Sequence, residues 1–160
     1  MTKLKAKLKP KPRPKLKPLK QKDQREKLEV KKSFAGLGLF ATAPIKKGSF
    51  VIEYVGPLLS DDEVDAKGGK YLFALGKDWT ISGDSRKNIA RYINHSCVRT
   101  NCEPVQYALH MKIRATRDIK PGEELFYDYG KEYFDEFLKG HCGCAKHKKP
   151  QKLKTKKQRK

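Results

Sequence analysis

The chain has 160 residues and a formal charge of +20, with 38 Lys and Arg against 18 Asp and Glu. That length suits one domain with a modest core plus appendages. No run approaches the roughly 18 apolar residues that span a bilayer, and the amino terminus lacks the apolar stretch of a secretory signal, so no membrane association is expected and the chain reads as soluble and intracellular.

The charge lies mainly in two arms. Residues 1–22 hold ten Lys or Arg and no acid, residues 145–160 hold nine and none, and the middle of the chain is close to neutral. In the first arm, Pro10, Pro12, Pro14 and Pro18 alternate with lysines. Proline removes donors and forbids helix while like charges repel, so residues 1–28 are expected to be a disordered basic tail, and residues 148–160 a second one. Such arms can grip phosphate backbones without sequence preference, act as solvated tails, or themselves be substrates of a lysine-modifying enzyme.

From residue 29 the composition changes. Glu29 to Lys32 reads as a strand leading into a Gly-x-Gly turn at Gly36-Leu37-Gly38, a plain hairpin on turn rules alone. The third glycine and following helix of a dinucleotide fingerprint are missing. After Gly48 an apolar strand covers Ser49–Val55. Ser60 with Asp61, Asp62 and Glu63 opens a short helix that stops at Gly68-Gly69. Tyr71–Leu75 and Trp79–Ile81 read as a strand pair around Gly76-Lys77-Asp78. Two unusual stretches follow. Arg91-Tyr92-Ile93-Asn94-His95-Ser96-Cys97 puts an amide, an imidazole, a hydroxyl and a thiol on consecutive residues, and Gly122-Glu123-Glu124-Leu125-Phe126-Tyr127-Asp128-Tyr129-Gly130 sets two tyrosines among three carboxylates. Tyr133–Leu138 reads as a short amphipathic helix covering the site. Cys97, Cys102, Cys142 and Cys144 are too few for a disulfide scaffold, and Cys142-Gly143-Cys144 is too tight to bridge easily, which leaves reduced thiols or a metal site. Short strands with frequent turns make the body mainly β.

The pair Asn-His-Ser-Cys and Glu-Glu-Leu-x-Tyr-Asp-Tyr, with Gly36, Gly38, Leu39, Phe40, Ala41, Glu53, Tyr54 and Gly56 opening the body in the expected order, resembles the SET domain of protein lysine methyltransferases. The resemblance implies a SET-domain fold, small curved β-sheets around a knot-like core with short helices, over residues 29–130, and a post-SET segment over 131–147. It implies a protein-lysine N-methyltransferase using S-adenosylmethionine, with Tyr129 as catalytic tyrosine and Tyr127 and Tyr54 beside it. The methyl donor would lie on Gly36, Leu37, Gly38, Tyr71, Arg91, Asn94, His95 and Tyr129. The family's post-SET cysteines bind zinc with the cysteine of Asn-His-Ser-Cys. Here Cys97, Cys142 and Cys144 match, Lys149 stands at the last position, and His147 is the replacement, with His141 and Cys102 behind it. The substrate expected is a lysine of a histone-like or other basic protein, methylated mainly to the mono- and dimethyl states, in the nucleus or on chromatin, or in the cytoplasm or nucleoid of a cell without a nucleus. The alternative is a catalytically weak SET scaffold that binds nucleic acid through its arms.

Overall fold

The computed structural model describes residues 12–17, 19, 22–139 and 142. The outer parts of both arms, with their expected disorder, lie outside that set, as do Cys144 and His147. In chain order the strands are β1 (Leu28–Ser33), β2 (Gly36–Ala41), β3 (Phe50–Tyr54), β4 (Leu58–Leu59), β5 (Leu72–Leu75), β6 (Trp79–Ser82), β7 (Asn94–His95), β8 (Cys102–Tyr107), β9 (His110–Ala115) and β10 (Phe126–Tyr127). They form four small sheets, β1-β2, β3-β9-β8, β4-β6-β5 and β10-β7. Helix α1 covers Asp61–Lys67, a 3-10 turn covers Ile89–Tyr92, and α2 (Lys131–Tyr133) runs on as a π-type turn over Phe134–Leu138. The mainly β body of small sheets and short helices expected from the sequence is therefore present. Among the described residues no helix is long and apolar enough to cross a membrane.

Local chemistry accounts for most of these elements. In β9, Met111, Ile113 and Ala115 are buried and alternate with His110, Lys112 and Arg114, the period of two that a sheet with one covered face requires. Ile113 joins Leu39, Val51, Ile52, Ile93, Ile119 and Leu125 in a core that excludes water almost completely. α1 begins where the Glu63 carboxylate accepts the Ser60 backbone N–H at 2.9 Å, a capping arrangement that satisfies a donor otherwise left bare.

The structure moves two expected boundaries. β1 and β2 pair from Leu28↔Ala41 to Ser33↔Gly36, so the reversal falls on Phe34-Ala35, and Gly36-Leu37-Gly38 lies in β2 rather than in a turn. Gly38 is needed for close approach instead: a Cβ there would sit 2.2 Å from Glu124 Oε1. Residues 24–28, read from composition as arm, pack on the body, with Gln24 N–H donating to Val51 O and Thr42 N–H to Lys27 O, each at 2.8 Å.

The contact that makes the site is the smallest sheet. β10 runs parallel to β7, with Phe126 opposite Asn94 and Tyr127 opposite His95, so the two unusual stretches of the sequence meet backbone to backbone. Asn101, only 1% exposed, fixes the second of them. Its side chain accepts from Phe126 N–H and donates to Glu124 O, both at 2.8 Å.

Candidate active site

Tyr54, Tyr71, Tyr127 and Tyr129 line one cavity of about 860 Å³, together with Phe73 and Tyr133. Each is set by its own element. Tyr129 follows β10, and its hydroxyl donates to Ile93 O at 2.6 Å. The rings of Tyr127 and Tyr129 lie 4.9 Å apart. Tyr54 ends β3 and its hydroxyl donates to Tyr71 O at 3.2 Å. A Cβ on Gly83 would meet that hydroxyl at 2.2 Å, so only glycine leaves room for it. Burial pushes the hydroxyls of Tyr54, Tyr127 and Tyr129 well above the ordinary tyrosine range. All three are therefore neutral donors at physiological pH.

A second cavity of about 270 Å³ shares Tyr71, Arg91 and Tyr129 with the first and adds Leu37 and Asn94. Five of the residues predicted to hold the methyl donor thus face one space, and Gly36 and Gly38 flank Leu37 in β2. The Arg91 guanidinium stacks 3.8 Å over the Tyr71 ring and donates to Asp84 O. Its Nε is buried and, among the described residues, has no hydrogen-bond partner. An unsatisfied donor at the wall of a small polar cavity suits a polar ligand such as S-adenosylmethionine.

Glu124 ties this second cavity together, a role the sequence reading missed. Its carboxylate accepts from Ser33 Oγ at 2.8 Å and from Asn94 Nδ2 at 2.7 Å, while Asn94 Nδ2 also reaches Leu37 O at 3.1 Å. The hairpin β1-β2 is thereby fastened to β7 across the gap that Gly38 leaves. Glu124→Ala should weaken donor binding about tenfold, or ~1.4 kcal/mol, in calorimetry, with Glu124→Gln keeping most of it. Unchanged affinity in the alanine variant would remove Glu124 from this role.

His95 lines neither cavity. Tyr129 N–H donates to its Nδ1 at 3.2 Å, and its Nε2 lies 2.9 Å from Cys97 Sγ. With Nδ1 accepting, Nε2 carries the ring proton and directs it at the sulfur. The donor atoms of His95, Cys97 and Cys142 all lie within 4.8 Å of one another. The two thiols are donors of the kind zinc takes, whereas the His95 imidazole, with Nδ1 accepting from Tyr129 N–H, offers a metal no lone pair. Cys102 is not in the cluster; burial pushes its thiol up to about 12, and it stays protonated. The predicted ligands Cys144 and His147 lie outside the described residues. Over the cluster, the expected amphipathic helix is instead a short α-turn and π-turn, which brings Phe134 within 5.8 Å of the His95 ring and Tyr133 within 5.0 Å of Tyr129.

The chain is similar to known proteins in sequence and in fold. The SET domain family matches residues 36–130. The chain is 34% identical over 141 residues to a Drosophila melanogaster protein named "Histone-lysine N-methyltransferase trr", covering 81% of this chain and 6% of that protein. It is 38% identical over 122 residues to the Schizosaccharomyces pombe "Histone-lysine N-methyltransferase, H3 lysine-4 specific", covering 68% of this chain and 13% of that one. The chain therefore spans only a small part of these relatives. Among solved structures, a chain of the Chaetomium thermophilum polycomb repressive complex 2 superposes with a TM-score of 0.58 at 35% identity, covering 65% of this chain and 15% of that one.

Proposed function

Because this chain belongs to the SET-domain family, we propose that it is a protein-lysine N-methyltransferase using S-adenosylmethionine, with a histone-like or other basic protein as substrate. The observation that carries the reading is the junction of the two cavities at Tyr129, one lined by Tyr54 and Tyr127 and the other by Leu37 and Asn94. S-adenosylmethionine supplies, when bound, a methyl group activated by a sulfonium. The smaller cavity holds the donor through Arg91 and Asn94. The larger one receives the lysine, and its aromatic wall strips water from the ammonium and favours the neutral amine. The Tyr129 hydroxyl and the Ile93 carbonyl it engages then hold the amine in line. The relatives are named for action on histones, which favours a nuclear or chromatin setting for this protein. Incubation with isotope-labelled donor and a panel of basic proteins, followed by mass spectrometry, tests the proposal. No transfer to any of them would leave a weak SET scaffold that binds nucleic acid through its arms.

The product is mainly mono- and dimethyllysine, because Tyr127 shares the substrate cavity with Tyr129. A hydroxyl there holds a water or the amine in the space a further methyl would need, and displacing such a group costs on the order of 1 kcal/mol. Tyr127→Phe should raise the dimethyl and trimethyl fractions in a time course on a single-lysine peptide. An unchanged product ratio with lowered stability would make Tyr127 a packing residue only.

The arms add nucleic-acid affinity. Deleting residues 1–22 should weaken DNA binding and flatten its salt dependence, by about 0.9 in log-log slope for each phosphate the arm no longer neutralises. The same slope with and without the arm would exclude that role.

A further inference from the structure

Helix α1 contributes Val64 and Asp65 to the wall of the tyrosine cavity, and Gly68-Gly69 after it continue that wall. The amino-terminal arm reaches the same helix. Arg13 forms an ion pair with Glu63 Oε1, one residue before Val64, while Glu63 Oε2 stays on the Ser60 N–H. One oxygen serves the helix cap and the other receives the arm. An exposed pair of this kind contributes little to stability, so its meaning lies in its place rather than its strength. It sets residues 12–17, part of an arm with ten cationic residues and no acid over positions 1–22, beside a helix whose first turn is Asp61, Asp62 and Glu63. Glu132 and Glu136 line the same cavity, beside Lys70, Arg91 and Lys131.

Reach is sufficient. Prolines at positions 12, 14 and 18 favour an extended arm, which advances about 3.1 Å per residue. Lys15 and Lys17 thus lie within about 6 and 12 Å of the Arg13 anchor along the chain. From Glu63 to Gly68 the helix rises only about 8 Å. Both lysines are exposed.

We propose that the arm is a ligand of this chain's own active site, and that Lys15 or Lys17 is methylated by the molecule that carries it. The proposal rests on the methyltransferase reading above. The ε-ammonium first loses a proton to water. The neutral amine then attacks the sulfonium methyl carbon of S-adenosylmethionine, the N–C bond forming as the C–S bond breaks. S-adenosylhomocysteine leaves as a neutral thioether, and the positive charge passes from sulfur to the lysine nitrogen. While the arm occupies the cavity mouth, it also competes with other lysine substrates.

The test incubates the full chain with isotope-labelled S-adenosylmethionine and maps modified lysines by mass spectrometry, with a free basic peptide assayed in parallel. The expected result is label on Lys15 or Lys17, at a rate per molecule that does not change when the protein is diluted. Arg13→Ala should lower arm labelling several-fold while the free peptide is methylated at least as fast. The double variant Lys15→Arg, Lys17→Arg should lose the arm label and keep peptide activity. A methylated peptide with no label on either lysine overturns the proposal, and a rate per molecule that rises with protein concentration overturns transfer within one molecule. If peptide, arm and the panel of basic proteins all stay unlabelled, the methyltransferase reading falls, and this proposal with it.

Discussion

Tyr129→Phe should lower turnover by at least about tenfold, equivalent to ~1.4 kcal/mol in the barrier, while leaving donor affinity nearly unchanged. The substitution removes one oxygen and keeps the ring, so the packing on Tyr127 and Tyr133 at 4.9 and 5.0 Å survives. The backbone N–H that holds His95 also survives. What disappears is the hydroxyl that donates to Ile93 O at 2.6 Å, where the two cavities meet. Removing a group that acts only on the reacting amine and methyl should lower kcat and kcat/KM together. Steady-state kinetics and calorimetry with the donor separate the two effects, and unchanged turnover would sink the assignment. The pH profile gives a second check. Because burial holds the Tyr54, Tyr127 and Tyr129 hydroxyls above their ordinary range, none of them ionises as pH rises toward 10. The rate should climb with pH as the substrate amine, ordinarily near 10.4, loses its proton, and Tyr129→Phe should keep that slope at a lower level.

How far the sequence could be read depended on whether a residue's partner is near it in the chain. The Ser60 cap and the Gly48 and Gly76 turns are set within a few residues, and pattern alone locates them. The meeting of Asn94-His95 with Phe126-Tyr127 was reachable only through the family resemblance, because a two-residue parallel pairing leaves no periodic trace. Glu124 shows the limit. Its partner Ser33 is 91 positions away, and three acids beside a Pro-Gly turn look like a solvated surface. The reason for Gly38 shows only in the structure, where the reversal falls on Phe34-Ala35 and a Cβ on residue 38 would meet Glu124. Asn88 and Asn101 hid in the same way. Each is 1% exposed and satisfied by backbone groups of other segments, Asn88 by accepting from Val55 N–H and donating to Gly83 O. A buried asparagine in a loop cannot be told by sequence from one that faces water. His95, assigned to the donor by resemblance, sits on the thiol side of Tyr129 because the backbone N–H of Tyr129 fixes one face of its ring.

His95 stands between the Cys97 and Cys142 thiols and Tyr129, and Cys97→Ser tests whether the two are coupled. We infer that the purified protein carries about one zinc per chain on the four-ligand rule, held by Cys97 and Cys142 with Cys144 and His147 as the remaining candidates. Serine preserves the size of residue 97 but supplies no thiolate, so metal content should fall toward zero in reducing buffer. His95 is then deprived of the sulfur 2.9 Å from its Nε2. The ring also stands 5.3 Å from Tyr129 and 5.8 Å from Phe134, between Tyr129 and the turn over Phe134–Leu138. Loosening it should let that segment shift and uncover Tyr133 and Phe137 at the cavity wall. A loss of turnover of about tenfold or more is expected, in the range seen when groups supporting a metal site are removed. Cys102→Ser, outside the cluster, should keep its metal. Elemental analysis of the three proteins, with turnover measured on the same samples, decides the matter. No zinc in the unmutated protein would leave the three groups as a hydrogen-bonded cluster alone. Full zinc in Cys97→Ser would exclude Cys97 as a ligand and with it this route from the metal to Tyr129.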